Sequence, residues 1–249
     1  MAHTYKTEGI VLKRWDYKEQ DRMLRILTKD FGKITTRAIS ARKLSSKLAG
    51  HLEPYIKSDF FIAGSRSIDI VAGSNTILSH ALLRESLRHS AIAAYFTEIV
   101  DRATHERAAD EELYTHVSDF FGWLSEHDAN VLSLHTAILQ LFSILGYRIE
   151  LYECHQCKKP IGEEGNKFHM ELWNVECEHC SNHDQTMGAS AKAIKVLRYL
   201  NEHHFSESAK LHLNHEEWSE VHFFIRALLR YYFDRDLVAE EVFLALMRD

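Results

Sequence analysis

Arg22-Met23-Leu24-Arg25-Ile26-Leu27-Thr28, then Lys29-Asp30-Phe31-Gly32, then Lys33-Ile34-Thr35-Thr36-Arg37-Ala38-Ile39-Ser40 is the stretch that decides the fold. Apolar residues alternate through its first part around Met23, Leu24, Ile26 and Leu27. A turn signal follows, and then a segment rich in β-branched residues. Such a run-turn-run reads as a β-hairpin. Upstream, Gly9-Ile10-Val11-Leu12 is an apolar run followed by Lys13-Arg14 and Trp15. Downstream, Tyr55 to Ile62 and Ser67 to Val71 make a second pair around Ala63-Gly64-Ser65-Arg66.

Five short strands with no long helical period between them predict a small antiparallel barrel, with the OB-fold the leading candidate. After residue 78 the pattern changes to helix. Leu83, Leu87, Ala91, Ala94 or Tyr95, and Ile99 keep a spacing of three to four. Asp110 to Leu124 predicts a second helix, its acidic start suited to the helix dipole. Val131 to Leu145 is apolar nearly all round and stops at Gly146, so it should lie at the centre of a helical bundle. Further on, Ser190 caps a helix bearing Ile194, Leu197 and Leu200. Asn214 and Glu217 form a capping box before a stripe of Trp218, Val221, Ile225, Leu228, Leu229 and Tyr232. Leu237 to Met247 reads as a last short helix. The class is therefore α+β: a five-stranded OB-fold barrel, then an α-helical domain with an inserted four-cysteine module. The expected boundaries are 1–79 for the barrel, 80–150 with 186–249 for the helices, and 151–185 for the insertion.

That insertion holds all four cysteines of the chain, as Cys154-His155-Gln156-Cys157 and Cys177-Glu178-His179-Cys180. Two Cys-x-x-Cys knuckles at this separation match the spacing of a zinc ribbon. Each turn supplies two corners of a tetrahedron. Four thiolates fill the coordination sphere of Zn²⁺, so one structural zinc on Cys154, Cys157, Cys177 and Cys180 is expected. The alternatives are a pair of disulfides or four buried thiols. Disulfides need an oxidising compartment, and Met1-Ala2-His3-Thr4-Tyr5-Lys6 lacks a signal peptide's apolar region. The expected location is the cytoplasm. No apolar run reaches the roughly 18 residues that cross a membrane.

The formal net charge of −6 hides an asymmetry. Residues 1–80 carry 14 Lys and Arg against 8 Asp and Glu, while the remainder carries 16 against 28. A basic first third suits a polyanion. Chance clustering of solvated charge is the plainer alternative. Ala41-Arg42-Lys43-Leu44-Ser45-Ser46-Lys47-Leu48-Ala49-Gly50-His51 is basic and lacks strand alternation, so it can lie along phosphates or be an ordinary solvated turn. Trp15 and Tyr17, beyond the first strand and beside Lys13-Arg14, are the best candidates for stacking on bases. The other aromatics of this part more often fill a barrel core.

Enzymatic signals are thin. There is no phosphate-binding Gly-x-x-x-x-Gly-Lys, no Gly-x-Gly-x-x-Gly and no Gly-x-Ser-x-Gly. His215-Glu216 lacks a second histidine at 219, although His222 lies near two turns on. His169-Met170-Glu171 has the tripeptide of a zinc deaminase, but a fully cysteine-ligated metal leaves His169 no role. Most other histidines (His80, His89, His105, His116) are expected on helix surfaces.

Thr7-Glu8-Gly9-Ile10-Val11-Leu12, Tyr17-Lys18-Glu19-Gln20-Asp21-Arg22, the Gly32-Lys33 turn, and Ala41-Arg42 with Ser45, Ser46, Gly50, Leu52 and Pro54 resemble the amino-terminal domain of the bacterial RecO family. Ala94-Tyr95-Phe96-Thr97-Glu98-Ile99-Val100-Asp101 resembles that family's first long helix, and the two knuckles follow in the family's order. The resemblance covers essentially the whole chain. It implies a recombination mediator without enzymatic activity in recombinational DNA repair, associated with the nucleoid. Such a protein binds single- and double-stranded DNA, anneals complementary strands, and works with a RecR-like partner and single-strand-binding protein to load recombinase. The basic positions matching the family's DNA-binding surface are Lys13, Arg14, Arg37, Arg42, Lys43 and Lys47. Arg226 and Arg230, beside an apolar stripe, are a possible site for the acidic tail of single-strand-binding protein. Two other classes stay open on the residues alone: a zinc-bearing nuclease or glycosylase, and a scaffold that binds only protein.

Overall fold

The hairpin of the opening stretch is present and is the middle of a closed barrel. In the computed structural model, which describes residues 4–169, 171, 174–181 and 186–247, five strands close in the order β1-β2-β3-β5-β4. They are β1 (Thr4–Tyr17), β2 (Asp21–Thr28), β3 (Gly32–Ala38), β4 (Lys57–Ala63) and β5 (Asp69–Leu78). The start Met1-Ala2-His3 and Met170 lie outside the described residues. All neighbours are antiparallel except the short β3–β5 contact, where Thr36 meets Asp69 and Arg37 meets Ile70. This is the OB-fold arrangement. Inward-facing residues of every strand fill the barrel: Val11, Leu24, Ile26, Ile34, Phe60, Ile62 and Val71 are all buried.

Two strands run longer than their apolar signal. The first extends in both directions from Gly9–Leu12, because Thr4 to Ile10 pair with β4 while Gly9 to Tyr17 pair with β2. Ladder pairing, not hydrophobicity, holds its polar ends. Trp15 and Tyr17 therefore stand within β1 rather than beyond it. A bulge between Val11 and Lys13 shifts the register there. The fifth strand likewise continues past Val71 to Leu78 along β4.

Residues 1–129 and 238–249 form one compact unit. Its helices begin with α1 (Leu82–Glu85), α2 (Leu87–Ala103) and α3 (Glu111–Leu124). The single helix expected over Leu83–Ile99 is broken at Ser86, whose backbone is extended. Asp110 caps α3 by accepting from the Leu113 N–H at 3.0 Å. The loop after α2 is seated on the barrel. Lys33 is buried, and its ammonium reaches the Asp101 carboxylate at 3.1 Å and donates to the Thr104 carbonyl at 2.8 Å. Arg107 donates to Asp69 at 2.6 Å, and its backbone N–H donates to the Lys33 carbonyl at 2.8 Å. Gly32 permits this seat: a Cβ there would lie 2.1 Å from the Ala108 carbonyl oxygen, and its φ is +64°.

Residues 130–237 form the second unit. Its first helix, α4 (Val131–Ile144), is buried from Leu132 to Leu139 and again at Leu141 and Phe142, as its all-round apolar sequence requires. A three-stranded sheet follows, of β6 (Lys167–His169), β7 (Asn174–Glu176) and β8 (Thr186–Gly188), ordered β7-β6-β8. Then come α5 (Ala191–Glu202), α6 (Phe205–Ser208) and α7 (His215–Phe233). The capping box of Asn214 and Glu217 opens α7. Inside this unit His135 and His222 share a hydrogen bond of 3.1 Å. Burial pushes His135 well below the ordinary imidazole range, with His222 adding to it, and burial with nearby Arg226 lowers His222 to about 4.

The last helix, α8 (Val238–Met247), belongs to the first unit. The Glu98 carboxylate of α2 accepts the N–H groups of Val238 and Ala239 at 3.1 and 2.7 Å, acting as its cap. Tyr95 stacks on Phe243 at 4.8 Å. Two histidines depart from the surface expectation. His80 is buried against the Tyr55 carbonyl at 2.7 Å, and buried His89 bridges Ser86 and the His127 carbonyl at 2.8 and 2.9 Å.

Candidate metal centre and nucleic-acid interface

Both knuckles are tight turns that return the chain on itself. In the first, the Cys154 N–H donates to the Lys159 carbonyl at 2.8 Å, and Lys158 takes the left-handed conformation with φ 58°. In the second, the N–H groups of Cys180 and Ser181 both reach the Cys177 carbonyl, at 3.0 and 3.1 Å. The backbone of His155 donates to the Val175 carbonyl at 3.0 Å, which sets the first knuckle beside the strand leading to the second. Gly165, with φ +71°, lets the intervening loop pass under Glu178.

The four sulfurs all lie within 4.8 Å of one another, and no disulfide joins them. Cys157 and Cys177 sulfurs are 3.8 Å apart. A tetrahedron with metal–sulfur bonds of about 2.3 Å has edges of about 3.8 Å, so this donor set fits a Zn²⁺-sized ion. The thiols themselves disagree about ionisation. Burial would raise Cys154, but the N–H groups of Cys157, Cys177 and Gln156 outweigh it and bring it to about 6. Cys180, hydrogen-bonded to Cys177 and facing the other sulfurs, is pushed up to about 12. Four thiolates in one place repel, and a divalent cation is what lets all four ionise together. His169 is buried in β6, and His155 engages the Asn174 side chain at 3.0 Å. Among the described residues no histidine joins the sulfur cluster.

The second candidate is one end of the barrel. There the β1–β2 turn, Lys18-Glu19-Gln20, meets the long β3–β4 connection. Asp21 ties them: its carboxylate accepts from Arg37 and from the Ser40 N–H at 2.7 Å. The Ser40 N–H and the Arg37 guanidinium hold that carboxyl below the usual range. Arg42 ties them again, through its backbone N–H to the Gln20 carbonyl at 2.9 Å and its guanidinium to Asp16 at 3.2 Å.

The six basic positions read from the sequence divide into two groups. Arg14 pairs with Glu53 at 2.8 Å, Arg37 with Asp21, and Arg42 with Asp16. Arg22 lies between two of these acids, 3.5 Å from Glu53 and 3.9 Å from Asp16. These arginines form a surface network with carboxylates. Lys13, Lys43 and Lys47 are exposed and make no ion pair with a described residue. Lys18, which the sequence reading passed over as a phosphate contact, joins them. It is exposed at the turn, and its ammonium lies 5.5 Å from the Tyr17 ring centre. Tyr17 is exposed, with the Arg37 guanidinium 5.4 Å from its ring centre. Trp15 is half-buried, its ring under Arg25 at 5.8 Å.

In the second unit, Arg226 and Arg230 stand one turn apart on α7. Arg230 pairs with Asp236 at 3.3 Å and lines an open cleft of about 740 Å³ together with Tyr147, Arg148, Tyr231 and Tyr232.

Comparison with known sequences gives one answer for both parts of the chain. A family profile described as "Recombination protein O N terminal" matches residues 1–79, and one described as "Recombination protein O C terminal" matches residues 84–240. The chain is 35% identical over 234 residues to the DNA repair protein RecO of Dehalococcoides mccartyi strain BAV1, covering 94% of this chain and 92% of that one. The RecO of Roseiflexus sp. strain RS-1 is 33% identical, with 93% and 82% covered. The RecO of Bacillus subtilis strain 168 is 27% identical, with 87% and 84% covered.

Proposed function

The chain belongs to the RecO family of DNA repair proteins, and from that premise we propose that it is a non-catalytic mediator that binds and anneals single-stranded DNA. The observation that carries the reading is the set of unpaired exposed lysines, Lys18, Lys43 and Lys47, gathered at one barrel end beside the exposed ring of Tyr17. Lysines of this kind neutralise phosphates and release counterions. An exposed tyrosine takes a base face. Lys13 extends the same charge along β1. Arg14, Arg37 and Arg42, held by carboxylates, frame this surface. A protein that screens two strands on one surface lowers their repulsion and speeds their pairing.

Residues 1–79 form the DNA-holding domain in this reading. Residues 80–150 and 186–249 supply the helices, shared between the two compact units, and 151–185 the metal insertion. Zinc on Cys154, Cys157, Cys177 and Cys180 is structural, because four thiolates leave no open position for chemistry. The partners are single- and double-stranded DNA, a RecR-like protein and single-strand-binding protein, and the place of action is the cytoplasm at the nucleoid. An acidic tail would dock near Arg226 and Arg230 on α7, beside a cleft of mixed charge in which Arg148 and Arg230 face Glu171 and Asp234. Of the acids in this part that a nuclease could draw on, Glu8, Asp16, Glu19 and Asp21, three are engaged by cations: Glu8 by Lys57 at 3.0 Å, Asp16 by Arg42, and Asp21 by Arg37. No described helix is long and apolar enough to cross a membrane.

The test is annealing of labelled complementary oligonucleotides, bare and coated with single-strand-binding protein, in Mg²⁺. Accelerated pairing with intact strands is expected. Strand cleavage, or no binding even at low salt, would replace this reading with the enzyme or the protein-only scaffold.

A further inference from the structure

The β3–β4 connection carries three leucines at intervals of four, Leu44, Leu48 and Leu52, and only the first faces solvent. Leu48 packs against the barrel core, and Ala41 and Leu52 of the same connection are fully buried. Leu44 is fully exposed. The loop is not loosely hung: the Lys43 N–H donates to the Ser40 carbonyl at 3.2 Å, the Ser46 N–H to the Lys43 carbonyl at 2.9 Å, and the Arg42 N–H to the Gln20 carbonyl at 2.9 Å. A tied-down loop thus holds an apolar side chain outward, with exposed Lys43 before it and exposed Ser45 and Lys47 after it.

Lone exposed leucines need no explanation in general. This one is flanked by unpaired cations on a surface that also presents Tyr17 and Lys18. We propose that Leu44 is a wedge that enters the base stack of DNA bound at this end, while Lys43 and Lys47 hold the phosphates on either side. The inference rests on the nucleic-acid reading above and deepens it. Apolar side chains on basic segments do open base steps in this way, and the charge on both flanks selects a polyanion. Stacking covers the faces of bases and leaves their pairing edges open, so a wedge at one step bends the strand there while the bases on either side can still pair. An anionic lipid surface would also attract the lysines. The single apolar residue between polar neighbours gives a bilayer little to bury, whereas it matches one gap between two bases.

The experiment uses the full chain and an oligonucleotide with one 2-aminopurine among adenines, whose fluorescence rises on unstacking. Wild-type protein should bind and raise the signal. Leu44→Ser should still bind with the salt slope of wild type, because the charge is unchanged, yet at saturating protein lose most of the rise. Leu44→Met should restore it. A full rise in Leu44→Ser, or no rise with bound wild type, overturns the wedge while leaving DNA binding in place. Absence of any binding by wild type overturns the underlying reading as well. Vesicles of phosphatidylglycerol and phosphatidylcholine form a further arm: loss of vesicle binding in Leu44→Ser, with DNA behaviour like wild type, assigns the leucine to a membrane and overturns the proposal.

Discussion

Replacing basic residues of one loop separates cations that meet phosphate from cations that hold the loop. Lys43 and Lys47 are exposed and make no ion pair with a described residue, whereas Arg42 sits 3.2 Å from Asp16 and donates to the Glu19 carbonyl at 3.1 Å. A phosphate meets a lysine as a full charge but meets the Arg42–Asp16 pair as nearly none. On single strands each neutralised phosphate contributes about 0.7 to the slope of log K against log salt. Lys43→Ala with Lys47→Ala should therefore flatten the slope by about 1.4. Between 50 and 200 mM salt, the gap between wild type and this variant should close by about sevenfold. Arg42→Ala should change the slope by less than about 0.3 and instead lower stability by about 1 kcal/mol through its lost ties, discounted for the exposure of the pair. Fluorescence anisotropy of a labelled oligonucleotide over a salt series gives the slopes, and urea unfolding gives the stability. An Arg42→Ala slope loss equal to that of either lysine would refute the division into contacts and frame. An unchanged slope in the lysine pair would remove the loop from the DNA surface.

Gly32→Ala should destabilise by about 3 kcal/mol, combining left-handed strain with a clash against the Ala108 carbonyl, while Gly50→Ala, whose Cβ meets nothing within 4 Å, should be near neutral; equal thermal midpoints would contradict the seating of the 106–108 loop on β3. Elemental analysis of protein purified without chelator should find about one zinc per chain, and Cys154→Ser should lower the melting temperature more than it weakens DNA binding; metal-free wild-type protein of unchanged stability would overturn the site. His135 and His222 are held neutral in the fold, so the unfolded chain binds more protons once the pH falls below the ordinary value of about 6.5, and stability is lost from there down towards about 4. Through His222 alone this is on the order of 2 kcal/mol between pH 8 and pH 5. The double variant His135→Leu/His222→Leu should lose less over that range, and an identical acid loss in both proteins would count against the pair.

Local patterns that repeat within one element were legible before any coordinates. The hairpin from Arg22 to Ser40, the all-round apolar helix from Val131 and the Asn214–Glu217 capping box all appear where their periodicities put them. Metal-ligand spacing was legible too, because a Cys-x-x-Cys turn fixes its own sulfur geometry. What was hidden depends on partners distant in sequence. The polar start of β1, Thr4 to Glu8, is strand because β4, more than 40 residues on, pairs with it. His80 is buried because the Tyr55 carbonyl needs a donor there. The division of the basic residues was invisible for the same reason: Arg42 and Lys43 are neighbours in sequence, and only the position of Asp16 across the barrel end distinguishes them.

The cap that Glu98 places on Val238 and Ala239 has a consequence for the order of synthesis. The first unit closes with a helix made about a hundred residues after the rest of that unit. At about 5–20 residues per second the ribosome needs about 5–20 s to cover that distance. During this interval the face of α2 that carries Tyr95 waits without Phe243 against it. The barrel unit is thus begun first and finished last, with the whole metal-bearing unit translated in between. A chain cut short before residue 238 would leave that unit without its closing helix, however complete its five strands.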